Sequence, residues 1–124
     1  MDRDPVSAFV EAINRGDVRQ LALLMTEDHL FIDSVGNEVS GRATMMAGWA
    51  RYFEAFRGYR LTVDLRFDHR DHVVLFGHTH AIHAASGREV RTRAACLALI
   101  KNGLIAEWCV FADNEPARAA MEGR

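Results

Sequence analysis

Apolar residues recur first at helical and later at alternating spacing, and that change divides the chain in two. Val6, Phe9, Val10 and Ile13 fall at i, i+3, i+4 and i+7 and predict a helix. Asp4-Pro5 gives its start, an N-cap oxygen followed by a proline whose missing N–H costs nothing in the first turn, and Asn14-Arg15-Gly16 gives its stop. Asp17 caps a second predicted helix with the stripe Val18, Leu21, Leu24 and Met25. A short strand from His29 to Asp33 and a turn at Gly36-Asn37 follow. Ser40-Gly41 then leads into a third helix carrying Met45, Met46, Trp49, Tyr52, Phe53 and Phe56.

After Gly58 the period becomes two: Leu61, Val63, Leu65 and Phe67 alternate with Arg60, Thr62, Asp64 and Arg66, the pattern of a half-buried strand. Asp68-His69-Arg70-Asp71 turns the chain into a second long strand, about Val73 to His83, and Ser86-Gly87 turns it into a third, about Glu89 to Ile100. Lys101-Asn102-Gly103 makes the last hairpin, Leu104 to Ala112 the fourth long strand, and Asp113-Asn114-Glu115-Pro116 opens a short terminal helix. Three helices with one short strand among them, then a four-stranded antiparallel meander, predict an α+β domain with helices on one face of a sheet. On the third long strand Arg91 and Arg93 share a face with Leu97 and Leu99, so the far face is apolar at one end, where a homodimer contact would cover it.

Composition narrows the function classes. The 124 residues are 49% apolar and 26% charged with a net charge of −2, the range of one domain spanning 1–124. Such a chain buries roughly two thirds of its unfolded surface, enough for a core without metal or disulfide staples. It has neither a bilayer-length apolar run nor a signal-peptide pattern at its start, and we expect a cytoplasmic protein. Fourteen arginines and Lys101 are interspersed with seventeen acids; no basic stripe forms, which argues against nucleic acid or an anionic membrane as partner.

The order Phe9-Val10-Glu11-Ala12-Ile13-Asn14-Arg15-Gly16-Asp17, then Phe31-Ile32-Asp33-Ser34-Val35-Gly36, then Ser40-Gly41 before an aromatic helix, resembles the nuclear transport factor 2-like superfamily. Within it the chain is similar to the branch of ketosteroid isomerases and SnoaL-like polyketide cyclases. The resemblance implies a cone of curved sheet wrapped around a helix, an apolar pocket between them, and a cofactor-free enzyme transferring a proton on a small apolar, cyclic molecule by isomerisation, cyclisation or hydration. It places Asp33 at the general base. Where the isomerases hold oxyanion donors, this chain has Phe9 and Cys96, which a phenyl and a thiol cannot replace. The alternative is therefore a non-catalytic binding or dimerisation module.

Asp33 has Phe31 and Val35 at its same-face positions, where desolvation would raise its pKa toward that of a useful base; equally, it can cap the Val35-Gly36-Asn37 turn. His78 and His80 share one strand face and His83 the other. No acid or Cys is spaced to give the first pair a third metal ligand, and we expect neither metal nor cofactor. Alignment of the Ser86-Gly87 turn with the family's turn would point His83 into the pocket as acid or donor, and a one-residue slip would exchange it for His78 and His80. A two-residue Asn102-Gly103 loop would set Cys96 opposite Cys109. A three-residue loop, which we prefer, sets it opposite Trp108 and gathers Cys96, Ala98, Ala106, Trp108 and Val110 on one face. Phe9, Phe31, Met45, Met46, Trp49, Phe53, Cys96, Trp108 and Val110 are the expected substrate contacts, with both thiols reduced.

Overall fold

A computed structural model describes residues 4–112 and 115–123. Asp4 caps α1 (Pro5–Arg15), its carboxylate accepting the Ser7 N–H at 3.1 Å, and Gly16 ends the helix at φ 64°, where a side chain would be strained. Asp17 likewise caps α2 (Val18–Leu23), which stops short of the expected Met25 because that residue already opens strand β1 (Met25–Ile32). A three-residue strand that alternation could not reveal, β2 (Glu38–Ser40), pairs back on β1. Helix α3 (Arg42–Ala55) follows.

The four long strands are β3 (Phe56–His69), β4 (His72–His83), β5 (Glu89–Lys101) and β6 (Leu104–Ala112). They pair as consecutive antiparallel neighbours, but they are not the whole sheet: β1 joins parallel to β6, giving six strands in the order β2-β1-β6-β5-β4-β3. The expected four-stranded meander is thus corrected to a mixed six-stranded sheet, because the short early strands have no alternation of their own to announce their pairing. Helix α4 (Glu115–Glu122) closes the chain; the Asp113-Asn114 part of its expected start lies outside the described residues.

Helices α1 and α3 pack on the inner face over a core that includes Phe9, Ile13, Leu21, Met25, Leu75, Ala98, Ile105 and Trp108. The Asn14 amide straps α1 to β3, donating to the Leu61 carbonyl at 3.0 Å and accepting the Leu61 N–H at 2.7 Å. His29 is fully buried, its Nδ1 2.8 Å from the Ile105 carbonyl, and burial holds its pKa below the ordinary value, so it sits as a neutral imidazole donating to that oxygen.

Strand β3 departs from the alternation read in its sequence. The register shifts between the pairs Val63–Gly77 and Leu65–Phe76, so one extra residue, Asp64, sits in a bulge. Leu61 and Val63 face the core, whereas Leu65 and Phe67, each 57% exposed, face outward and Arg66 turns inward to bind Asp4 and Asp68. Bulge and partner strand come so close that a Cβ on Gly77 would lie 1.9 Å from the Thr62 carbonyl oxygen. The last hairpin also corrects both expected pairings: Asn102 and Gly103 form a two-residue loop with φ 52° and 76°, and Ala106 is then left over as Leu99 pairs with Glu107 and Ile100 with Ile105. Cys96 therefore lies opposite Val110, with Cys109 on the other face of the sheet. The expected grouping of Cys96, Ala98, Trp108 and Val110 on one face survives, since a pairing shift of two residues restores the facing.

The Gly77 contact is with backbone and cannot be relieved by a rotamer change. We expect Gly77→Ala to cost roughly 2–3 kcal/mol or more, read as a lower urea midpoint at unchanged slope.

Candidate functional site

The sheet curls over α3 and leaves a cavity of about 410 Å³ between the helix, the 33–35 turn and the inner faces of β3 to β6. Helix α3 contributes Met45, Trp49, Arg51 and Tyr52; β1 and β2 contribute Phe31 and Val39; the sheet contributes Leu61, Thr79, Thr92, Cys96, Trp108 and Val110, with Tyr59 at the bend of β3. Phe31 and Trp49 meet edge to face at 6.2 Å and Tyr52 and Tyr59 at 5.1 Å, so aromatic edges fix the wall. Among the described lining residues the charged ones are Asp33 and Arg51.

Of the expected contacts, Phe31, Met45, Trp49, Cys96, Trp108 and Val110 line this cavity together with Asp33. Phe9, Phe53 and Met46 do not. Phe9 is fully buried behind the wall, its ring 4.7 Å from that of Trp108, and Phe53 stacks at 5.4 Å on Trp49 from outside the chamber. His83 also stays out. It shares the inner face of β4 with Thr79 and Ala81, yet the ring of Phe56 covers it at 5.3 Å and its Nδ1 lies 2.7 Å from the Ser86 hydroxyl. Of the two facings left open by the sequence, the strand takes the one that turns His83 inward, but Phe56, supplied by the strand start that replaced the end of α3, stands between His83 and the chamber. His78 and His80 lie outward beside Asp64 and Glu89. Among the described residues no group of three His, Cys, Asp or Glu side chains could hold a metal ion.

Asp33 stands at the mouth as the residue after β1. Its Oδ1 accepts the N–H groups of Val35 at 3.0 Å and Asn37 at 2.9 Å, and its Oδ2 the Asn37 amide at 3.0 Å. Partial desolvation works to raise its pKa, but these donors and the Gly36 N–H outweigh it and hold the carboxyl below the ordinary aspartate value. The expected raised pKa is corrected, because the turn that positions Asp33 also solvates it. Burial pushes Cys96 up to about 12, leaving a neutral thiol in the wall, and Tyr52 up to about 12. Tyr59, more deeply desolvated, is also raised. Sequence reasoning placed Tyr52 on the aromatic helix and missed Tyr59, Thr79 and Thr92; the one signal was that Thr79 and Thr92 occupy core-facing positions on strands otherwise apolar there.

The sequence profile of the SnoaL-like domain matches residues 6–108. The chain belongs to that family. Among solved structures, this SnoaL-like chain is similar to a protein of ketosteroid isomerase-like fold from Catenulispora acidiphila in complex with trimethylamine, at TM-score 0.86 and 16% identity over 97% of this chain and 93% of that one. It is similar also to a protein described as a SnoaL-like polyketide cyclase from Jannaschia sp. CCS1, at TM-score 0.84 and 20% identity over 100% and 99% of the two chains. A third, AclR of Streptomyces galilaeus, described as a hydroxylase, gives TM-score 0.82 and 20% identity over 97% and 80%. Among curated proteins none matches the chain. At these identities the likeness is one of fold, and the SnoaL-like chain's chemistry has to be read from its own cavity.

For Asp33 the folded carboxyl ionises more readily than the unfolded one, so its contribution to stability is complete above the unfolded pKa and is lost as pH falls through the folded value. In a carbon-13 NMR titration its side-chain signal should turn over below the ordinary value of about 3.9, and Asn37→Ala should move that midpoint upward.

Proposed function

We propose that residues 1–124 act as one SnoaL-like domain that binds a small, apolar, cyclic molecule and transfers a proton on it, with Asp33 as the proton acceptor. The observation that carries this reading is the placement of one ionised carboxylate at the mouth of a chamber walled mainly by apolar and aromatic side chains. The turn N–H groups fix the direction of the carboxylate, and they also make it a weak base in the empty site. A ligand that displaces water from the mouth adds desolvation, which already acts to raise the Asp33 pKa, so binding itself would strengthen the base. Isomerisation, cyclisation and hydration all accept such a base.

A second reading has its own support: Asp33 is engaged by its turn, and Phe9 and Cys96 offer no oxyanion donor, as a non-catalytic binding module would have it. The two readings separate on one variant. In a screen of dienol-forming ketones, cyclisable polyketides and epoxides, Asp33→Asn should abolish turnover while leaving ligand affinity within about threefold; absence of turnover by the unaltered protein on every class favours the binding module.

We also propose that the chain pairs as a homodimer through the outer face of its sheet. Leu65, Phe67, Phe76 and Phe111 expose 44 to 57% of their surfaces there, a cluster of large apolar side chains of the kind that contacts between copies cover. The two free cysteines, on opposite faces of the sheet, fit a reducing cytoplasm. Sedimentation equilibrium should give twice the 13.9 kDa chain mass, and Phe76→Arg should return it to one.

A further inference from the structure

The rings around the chamber are set at right angles rather than stacked flat. Phe31 meets Trp49 at 70° with centroids 6.2 Å apart, Trp49 meets Tyr52 at 83° and 6.4 Å, and Tyr52 meets Tyr59 at 84° and 5.1 Å. All four line the cavity, so the series turns a corner at each step, as the walls of a box do. One wall is backed from outside. Phe53, which is not part of the lining, stacks on Trp49 at 5.4 Å and 28°, covering one indole face and leaving the other to the chamber. Tyr59 stands where β3 changes register between Arg57 and Arg60, which brings a sheet residue up against the rings of α3. Aromatic faces carry the negative part of the ring quadrupole, so a box of rings is attractive to positive charge without any ion in its walls. At the mouth Asp33 adds a full negative charge, held in place by the turn N–H groups. The opposite charge, Arg51, occupies an exposed position of α3, where water and salt screen it.

From this juxtaposition we infer that the box formed by Phe31, Trp49, Tyr52 and Tyr59, with Asp33 as counter-charge, takes the quaternary ammonium group of a small cyclic ligand. The inference rests on the chamber's being a ligand site, as proposed above, and adds the charge that its occupant carries. A quaternary ammonium has an apolar skin, because its charge is spread over methyl hydrogens. It packs against rings as a hydrocarbon does and gains cation–π attraction besides. It also has no N–H to satisfy. A primary ammonium would need acceptors for three, and Asp33 is the one carboxylate among the described lining residues. An anion would meet the ring faces and Asp33 alike as repulsive. The walls that make the chamber apolar thus also make it selective for positive charge.

The test uses two probes of one shape, phenyltrimethylammonium and tert-butylbenzene, which differ by nitrogen for carbon and by the charge. Binding is followed by the emission of Trp49 and Trp108, both in the cavity wall. The cation should bind about tenfold more tightly than the hydrocarbon. Tyr59→Leu should weaken the cation about fivefold and leave the hydrocarbon within about twofold, and Tyr59→Phe, which restores a ring face, should recover the cation. Asp33→Asn should weaken the cation about two- to threefold and spare the hydrocarbon. In the unaltered protein, nuclear Overhauser contacts should run from the N-methyl protons to ring protons of Trp49 and Tyr52, a readout that needs no variant to fold. Equal weakening of both probes by Tyr59→Leu, or N-methyl groups in contact with neither ring, overturns the inference. Hydrocarbon binding as tight as the cation's or tighter leaves the chamber standing and overturns the ammonium box; binding of neither probe overturns both.

Discussion

Strand β3 can bend only because β4 gives way at one point. With no Cβ on Gly77, the Thr62 carbonyl approaches the neighbouring strand closely enough for the Asp64 bulge to form, and the bulge both bends β3 and reverses the facing of everything after it. Before it, Leu61 and Val63 close the core; after it, Arg66 swings inward to the cap of α1 and Leu65 and Phe67 swing out. Curvature, the closing of the α1 end by an ion pair, and the apolar outer face therefore have a common origin in one missing methyl group.

The curved sheet assigns different tasks to its two ends. At the α1 end the inner face is filled, with Phe9, Trp108, Met25 and Ile105 fully buried and packed together. At the other it stands off from α3, and the side chains there become smaller or hydroxylated: Thr79, Ala81, Thr92 and Ala94. Small residues on strands that face a large helix leave space, and the rings of Trp49, Tyr52 and Phe31 keep it from collapsing by bracing one another edge on. Asp33, the one carboxylate among the described lining residues, is kept at the mouth, where turn N–H groups can carry its charge.

Much of this was legible because it obeys period. The stripe from Val6 to Ile13, the Asp4 and Asp17 caps, the aromatic face of α3 and the alternation of β4 and β5 all follow from spacing and turn chemistry. What escaped reading depends on partners distant in the chain. A bulge cannot be recognised in β3 without Gly77, thirteen residues after Asp64, and Leu65 and Phe67 look like core until it is known. The pairing of Cys96 with Val110 required an extra residue in the opposite strand. At the site, Asp33 was singled out by the family resemblance and does line the cavity, but its pKa was misjudged in sign because the same short turn supplies both its position and its hydrogen bonds. The facing of His83, left open by the sequence, is inward, and the residue still misses the chamber, since Phe56 comes between them from another strand.

The Asn14 strap has a further meaning at the border of the sheet. An open sheet has two outer strands, each offering unpaired backbone groups to any passing chain. One of these, β2, is only three residues long, a poor template. The other, β3, is fourteen residues long, and the carboxamide of Asn14 occupies both backbone groups of Leu61 as a neighbouring strand would. A helix side chain thus imitates a strand at that point of the edge, and the backbone groups of Leu61 are closed to strand addition.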